Sequence, residues 1–376
     1  MVLVYVVNFL RFSALLAKEA VLHYFGFYPN RSETEQRNHS IRYDETIMAV
    51  YLITGIGGFI GSSLARALLG RGKRVRGVDN FATGKRENLT DILGQIDFRE
   101  ASILDLDAMK SICSGVDYVL HQAAIPSVPK SVLDPIGNNQ ANVDGTVNVL
   151  VAARDAKVRR VVYAASSSAY GDTPTLPKHE EMTPSPISPY AVAKLASEHY
   201  MTSFYRCYGL ETVALRYFNI FGPRQDPSSP YSGVLAKFIT QMLGGDQPTI
   251  FGDGEQSRDF TFIDNAVQAN LLACEAPASR AAGRVFNVAT GRRVTLNQMF
   301  SALQKLTGYS GTPEYGPERG GDIKHSLADI SKAEKQLGYN PKVNFEQGLG
   351  LTVDWYRQQR NAPQENTDKE PASLPS

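Results

Sequence analysis

Tyr190 and Lys194 stand four positions apart in the run Pro189-Tyr190-Ala191-Val192-Ala193-Lys194. On a helix that spacing puts both side chains on one face, a turn apart, and Pro189 suits a helix start. A phenol beside an ammonium can move a proton. The cation favours phenolate and draws the phenol pKa down from its ordinary value of about 10. Upstream, Ala164-Ala165-Ser166-Ser167-Ser168-Ala169-Tyr170-Gly171 sets three hydroxyls after an apolar run. A serine there can bridge a substrate hydroxyl and the tyrosine.

A second constellation binds rather than reacts. Thr54-Gly55-Ile56-Gly57-Gly58-Phe59-Ile60-Gly61 places glycines at 55, 58 and 61. This spacing gives a tight turn, a close backbone approach to a pyrophosphate, and close packing of the following helix, whose N-terminus offers N–H groups to the anion. Asp79 ends the next apolar run. A carboxylate at that point accepts hydrogen bonds from adenosine ribose hydroxyls and repels a 2′-phosphate, so the expected cofactor is NAD. Cysteines 113, 207 and 274 form no Cys-x-x-Cys pair, the six histidines form no His-Glu-x-x-His pair, and no metal site is expected.

The elements that must position these residues alternate. Apolar runs at 50–54, 74–79, 118–121, 160–165 and 212–217 predict strands, and helical spacing predicts helices over 59–69, 105–113, 141–156 and 189–208. Such alternation implies an α/β fold built on a doubly wound parallel sheet, with ligands at the carboxyl ends of the strands. After Gly222 the alternation fades into turn-rich stretches. The expected organisation is a mainly cofactor-binding part over 48–222 and a smaller, mainly substrate-binding α/β part over 223–360 that returns elements to the first.

Composition bounds the rest. The chain has 376 residues, 43% hydrophobic and 20% charged, as ordinary globular proteins do. With 39 basic and 38 acidic residues the net charge is +1, which gives no general electrostatic reason to bind nucleic acid or an anionic membrane. The sparse cysteines suggest a reducing cytoplasm. Residues 1–47 open on an apolar stretch that Arg11, Lys18 and Glu19 interrupt, too short for a membrane span and without signal-peptide form. They are read as an extension ahead of a folded unit that begins near Met48. Residues 361–376, rich in Pro, Glu, Ser and Asn, read as a disordered tail.

From Val50 to Trp355 the chain resembles the extended short-chain dehydrogenase/reductases, and within them the nucleotide-sugar 4-epimerases. The resemblance implies tightly held NAD, catalytic Tyr190 and Lys194, and a catalytic serine four positions before Tyr170, which is Ser166. Ser167 and Ser168 would touch the sugar. On the cofactor side it implies Gly55, Gly57, Gly58, Phe59, Ile60 and Gly61, then Asp79 and Asn80. Ser102 and Ile103 stand where the family meets adenine, although the usual acid is replaced by Ser102. Gln122, Ala123 and Ala124 follow His121, itself expected to be structural, and Asn142 would brace this side, with Tyr217 also near the cofactor. On the substrate side it implies Ser127, Asn219, Val234 and Lys237, with Phe251 near the uracil. Arg258 and Arg319 would clamp the diphosphate, two planar bidentate cations on one dianionic group, and Asp322 would hold the ribose. Ser326, at the family's gate position, is small and would admit an N-acetyl group.

The family's dehydratases carry Asp-Glu after the catalytic Ser or Thr, and its decarboxylases a glutamate two positions on. Here Ser167 and Ser168 occupy those places. What the resemblance then implies is 4-epimerisation of UDP-sugars through a 4-keto intermediate. The UDP-N-acetylglucosamine/UDP-N-acetylgalactosamine pair would be preferred, with UDP-glucose and UDP-galactose also accepted. A UDP-glucuronate 4-epimerase or decarboxylase is the alternative, and a catalytically silent NAD-binding regulator a remoter one. The family also implies a homodimer.

Overall fold

The computed structural model describes residues 48–227, 233–318 and 324–361. Seven parallel strands form one sheet: β1 (Val50–Thr54), β2 (Arg74–Asp79), β3 (Asp97–Glu100), β4 (Tyr118–His121), β5 (Arg160–Ser166), β6 (Glu211–Tyr217) and β7 (Arg284–Val288), in spatial order β7-β6-β5-β4-β1-β2-β3. β1 reads as a continuous apolar run because both of its faces are covered. Tyr51 and Ile53 join the core beneath α1 (Phe59–Leu69), while Val50 and Leu52 join the opposite core. That second core packs α2 (Leu106–Cys113), α3 (Gly145–Asp155) and α4 (Pro189–Tyr208) against the sheet. The predicted doubly wound fold is borne out.

The chain winds outward from β1 to β3, then crosses to β4 on the other side of β1. Strand order therefore reverses between β1 and β4, and the crevice beyond their carboxyl ends is the place where such sheets bind ligands. Two strands of this sheet were not predicted, β3 and β7. The expected continuous helix over 141–156 carries a π turn at Gln140–Asp144 before α3 begins.

Beyond β6 lie α5 (Val234–Gly244), α6 (Ile263–Glu275), α7 (Leu296–Thr307) and α8 (Phe345–Asn361). Short strand pairs join 220–221 to 261–262, 249–251 to 314–316 and 257–258 to 294–295. α6 contributes Val267 and Leu271 to the core shared with α1, and β7 completes the sheet beside β6. Among the described residues no helix is long and apolar enough to cross a membrane. The extension expected over 1–47 lies outside the described residues, as does the tail expected over 361–376 apart from Asn361, which ends α8.

Candidate active site

The glycine turn follows β1 and opens α1. Gly55 has φ +69°, and a Cβ there would sit 2.7 Å from the Ala123 backbone, so both the conformation and the approach of the β4 segment require glycine. At Gly61 a Cβ would fall 2.1 Å from the Gly55 carbonyl oxygen, so a side chain at this position would push the helix off its turn. α1 has no side-chain cap and no acidic residue in its first turn, which leaves its positive end available to an anion.

Asp79 fixes this turn from below: its carboxylate accepts from the Gly57 amide at 2.8 Å and the Phe81 amide at 2.7 Å. Burial holds its pKa above the usual carboxylate value in spite of these bonds. His121 is wholly buried. Its Nδ1 lies 2.7 Å from the Thr54 hydroxyl and its Nε2 3.0 Å from that of Thr146. Because the Thr146 hydroxyl donates to the Asn142 carbonyl at 2.6 Å, Nε2 carries the proton and Nδ1 accepts from Thr54. Burial, and then Lys194, push the imidazole pKa down to about 3, so His121 is a neutral spacer between strand and helix. Asn142 accepts from the Ile125 amide at 2.9 Å and donates to Asn138 at 2.7 Å, while its carbonyl also accepts from Ser197 at 2.8 Å.

Tyr190 and Lys194 lie four positions apart on α4, and Ser166 ends β5 at the same cavity. Ser188 caps α4 by accepting from the Ala191 amide at 3.2 Å, and Ser131 accepts from the Tyr190 amide at 3.0 Å. Lys194 donates to the Ala164 carbonyl at 2.8 Å and lies 4.8 Å from the centre of the Tyr163 ring. Ser166 ends β5, and its hydroxyl accepts from that of Ser168 at 2.9 Å. Burial raises the Tyr190 pKa, with hydrogen bonding to Ser166 acting against it. Burial pushes Lys194 down to about 7. The upward direction at Tyr190 differs from the expectation of a depressed phenol. The ammonium meant to depress it is itself buried and loses charge near neutral pH.

One cavity of about 780 Å³ joins the two constellations. From the cofactor side Gly55, Gly58, Phe59, Ile60, Gly61, Asp79, Asn80, Ser102, Ile103, Gln122, Ala123, Ala124 and Tyr217 line it; from the reacting side, Ser127, Ser166, Ser167, Ser168, Tyr190 and Lys194. Asn219, Arg258 and Ser326 reach the same cavity from the irregular half. Gly57 and Asn142 act from behind the wall. Val234 begins α5 and Lys237 is exposed one turn on, while Phe251 lies in the strand paired with 314–316; none of the three lines the cavity. Arg319 and Asp322 lie outside the described residues. The acids lining the cavity, among the described residues, are Asp79, held by amides, and Asp226, paired with Lys85 at 2.9 Å.

A model of the NAD dependent epimerase/dehydratase family matches residues 51–289, more than half of the chain. The chain belongs to that family. Its cofactor is NAD, and the glycine turn, the uncapped α1 and Asp79 suit that dinucleotide. Three solved structures are similar. A UDP-glucose 4-epimerase from Thermotoga maritima, with UDP-glucose, is 41% identical with a TM-score of 0.79, covering 83% of this chain and 99% of its own. A UDP-N-acetylglucosamine 4-epimerase from Methanobrevibacter ruminantium M1, in complex with UDP-N-acetylmuramic acid, is 40% identical with a TM-score of 0.78 and covers 83% and 99%. A UDP-glucuronic acid 4-epimerase from Bacillus cereus, with UDP-glucuronic acid and NAD, is 34% identical with a TM-score of 0.76 and covers 82% and 99%. The resemblance to the nucleotide-sugar 4-epimerases is thus borne out.

Sequence reading missed several residues of the site. Asn270 donates to the Tyr217 hydroxyl at 2.7 Å, and that hydroxyl in turn donates to Gln122 at 3.2 Å. Ser131 holds the start of α4, and Thr54 and Thr146 hold His121. Arg224 lines the cavity from a turn at φ +69°. No local spacing marks any of them.

Proposed function

We propose that this chain is a UDP-sugar 4-epimerase that prefers the N-acetylated pair, UDP-N-acetylglucosamine and UDP-N-acetylgalactosamine, and also turns over UDP-glucose and UDP-galactose. The observation that carries the reading is one cavity lined by Ser166, Tyr190, Lys194 and the dinucleotide turn, with both of its described lining acids already engaged. Tyr190 takes the proton of the sugar C4 hydroxyl, and Ser166 holds that oxygen in line. Bound NAD supplies the acceptor, and later the donor, for the C4 hydrogen. Lys194 biases Tyr190 toward phenolate when it carries its proton. The 4-keto sugar turns over about the diphosphate and presents the opposite face of C4 to the returning hydrogen, while Tyr190 gives the proton back to the C4 oxygen. Arg258 and Asn219 hold the diphosphate while the sugar is left free to turn. Elimination or decarboxylation would call for an acid beside Tyr190, and Ser167 and Ser168 stand where the related enzymes place one.

Ser326 supports the N-acetyl preference: small, half-buried and on the cavity wall, it leaves room at the sugar's 2-position. Ser326→Tyr should abolish turnover of the acetylated pair and spare the plain hexoses; equal loss on both would refute the gate. The decisive assay offers purified protein the acetylated pair, the plain pair and UDP-glucuronate, and resolves 4-epimers by chromatography. Conversion without net NADH is expected. Release of CO2 from UDP-glucuronate, or turnover of that substrate alone, would overturn the reading.

We also propose a homodimer formed across α4. Val192 and Tyr200 on α4, with Val132, Leu133 and Ile136 on the helical segments 128–133 and 135–139 that contact it, are exposed apolar side chains of the kind that mark an interface. Sedimentation should give twice the chain mass. A monomer at micromolar concentration would remove the proposal.

A further inference from the structure

Arg224 has no role in the chemistry above, yet its surroundings are those of an anion ligand. It lies in the turn Gly222-Pro223-Arg224, with φ +154° at Gly222 and +69° at Arg224. A side chain other than glycine in the left-handed region is held there by its surroundings. Three anchors do so. Gln225 donates from its side chain to the Ile220 carbonyl at 3.3 Å, the Tyr356 hydroxyl donates to the Gln225 carbonyl, and Asp226 pairs with Lys85.

The nearby cations are matched with acids. Arg66 donates to Asp91 at 3.1 Å, and Lys85 reaches Asp226 at 2.9 Å. Arg224 has no such ion pair among the described residues, and its Nε is buried with no hydrogen-bond partner. Burial and the charge of Arg66 push its pKa below the usual guanidinium value, against the pull of Asp91 and Asp264. A buried donor without a partner is costly, and most such groups in folded proteins are satisfied. The same side chain lines the cavity that Gly58, Phe59 and Ile60 line from α1.

Resting on the NAD reading of this site, we propose that Arg224 is a pyrophosphate ligand: its guanidinium contacts the diphosphate bridge of bound NAD opposite the first turn of α1. The helix end offers amides and a partial charge, and Arg224 adds a full charge with planar donors. The Lys85–Asp226 pair would then hold the turn in place over the bridge.

The test uses the full chain and reads binding. Wild type, Arg224→Gln and Arg224→Lys are freed of cofactor and titrated calorimetrically with NAD, adenosine and UDP. The expected result for Arg224→Gln is NAD affinity weaker by roughly 10- to 100-fold, with adenosine and UDP unchanged. Arg224→Lys should recover part of the loss. Unchanged NAD affinity overturns the proposal. So does an equal loss for adenosine, which would report a damaged pocket, or a loss confined to UDP, which would place Arg224 on the substrate's diphosphate. If Arg224→Gln does not fold, phenylglyoxal modification of the wild type, mapped by mass spectrometry, decides instead. NAD should shield Arg224 and adenosine should not; modification indifferent to NAD overturns the assignment. A wild type that binds no NAD at all would refute the underlying cofactor reading instead.

Discussion

Tyr190 and Lys194 share one buried environment, and it acts on them in opposite senses, raising the phenol and lowering the amine to about 7. Both shifts favour the uncharged form of the group concerned. Tyr190→Phe removes the proton carrier and keeps the ring. Its kcat should fall by about 10²- to 10⁴-fold, while NAD bound per chain stays at the wild-type value. Rates within a factor of two of wild type would disprove the assignment. These residues were legible because the chemistry fixes both type and spacing: one helical turn for Tyr190 and Lys194, one backbone approach for Gly55. Their supports were not. Asn270 meets Gln122 across 148 residues of sequence, and Ser131 reaches the Tyr190 amide across 59. A hydroxyl or amide that completes a site from so far off has no local signature.

α4 carries the proposed catalytic pair, and its position is set one turn further along. Glu198 accepts two bonds from Arg216 on β6, at 2.8 and 2.6 Å, with both side chains buried. The guanidinium also lies 4.6 Å from the centre of the Tyr170 ring, whose hydroxyl donates to Asn287 on β7 at 2.7 Å. Helix and sheet are thereby tied together through charge. Glu198→Ala would leave a buried guanidinium without its counter-ion, and the expected loss is about 3–5 kcal/mol, measured by urea unfolding. A loss below about 1 kcal/mol would show that the pair does not set the helix. The sheet itself was only partly readable. β1, β4, β5 and β6 are buried runs that announce themselves. β3, Asp-Phe-Arg-Glu, is an edge strand with little burial and no apolar run, and β7 sits among turn-rich segments where pairing to β6, a tertiary fact, makes it a strand.

Over the whole molecule, two buried groups set opposing acid responses. His121 is neutral in the fold, its pKa pushed down to about 3 by burial, whereas an unfolded histidine titrates at about 6.5. As pH falls below the unfolded value, the unfolded chain takes up a proton that the folded chain refuses, so stability is lost; at pH 5 the single-site loss is about 2 kcal/mol. Asp259 works the other way. It accepts from the Thr290 amide and hydroxyl at 2.9 and 2.7 Å and from the Gly291 amide at 3.0 Å, yet burial raises its pKa to about 6. Between about pH 6 and the ordinary carboxylate value of about 3.9, the folded state binds the proton first, and stability is gained as pH falls. His121→Gln should leave the Asp259 response exposed, and its urea midpoint should rise over that interval. Asp259→Asn should leave the His121 response exposed, and its midpoint should drop. The two slopes must differ in sign, because one group is starved of a proton by the fold and the other is given one; three parallel pH profiles would show that neither burial controls the acid behaviour of the protein.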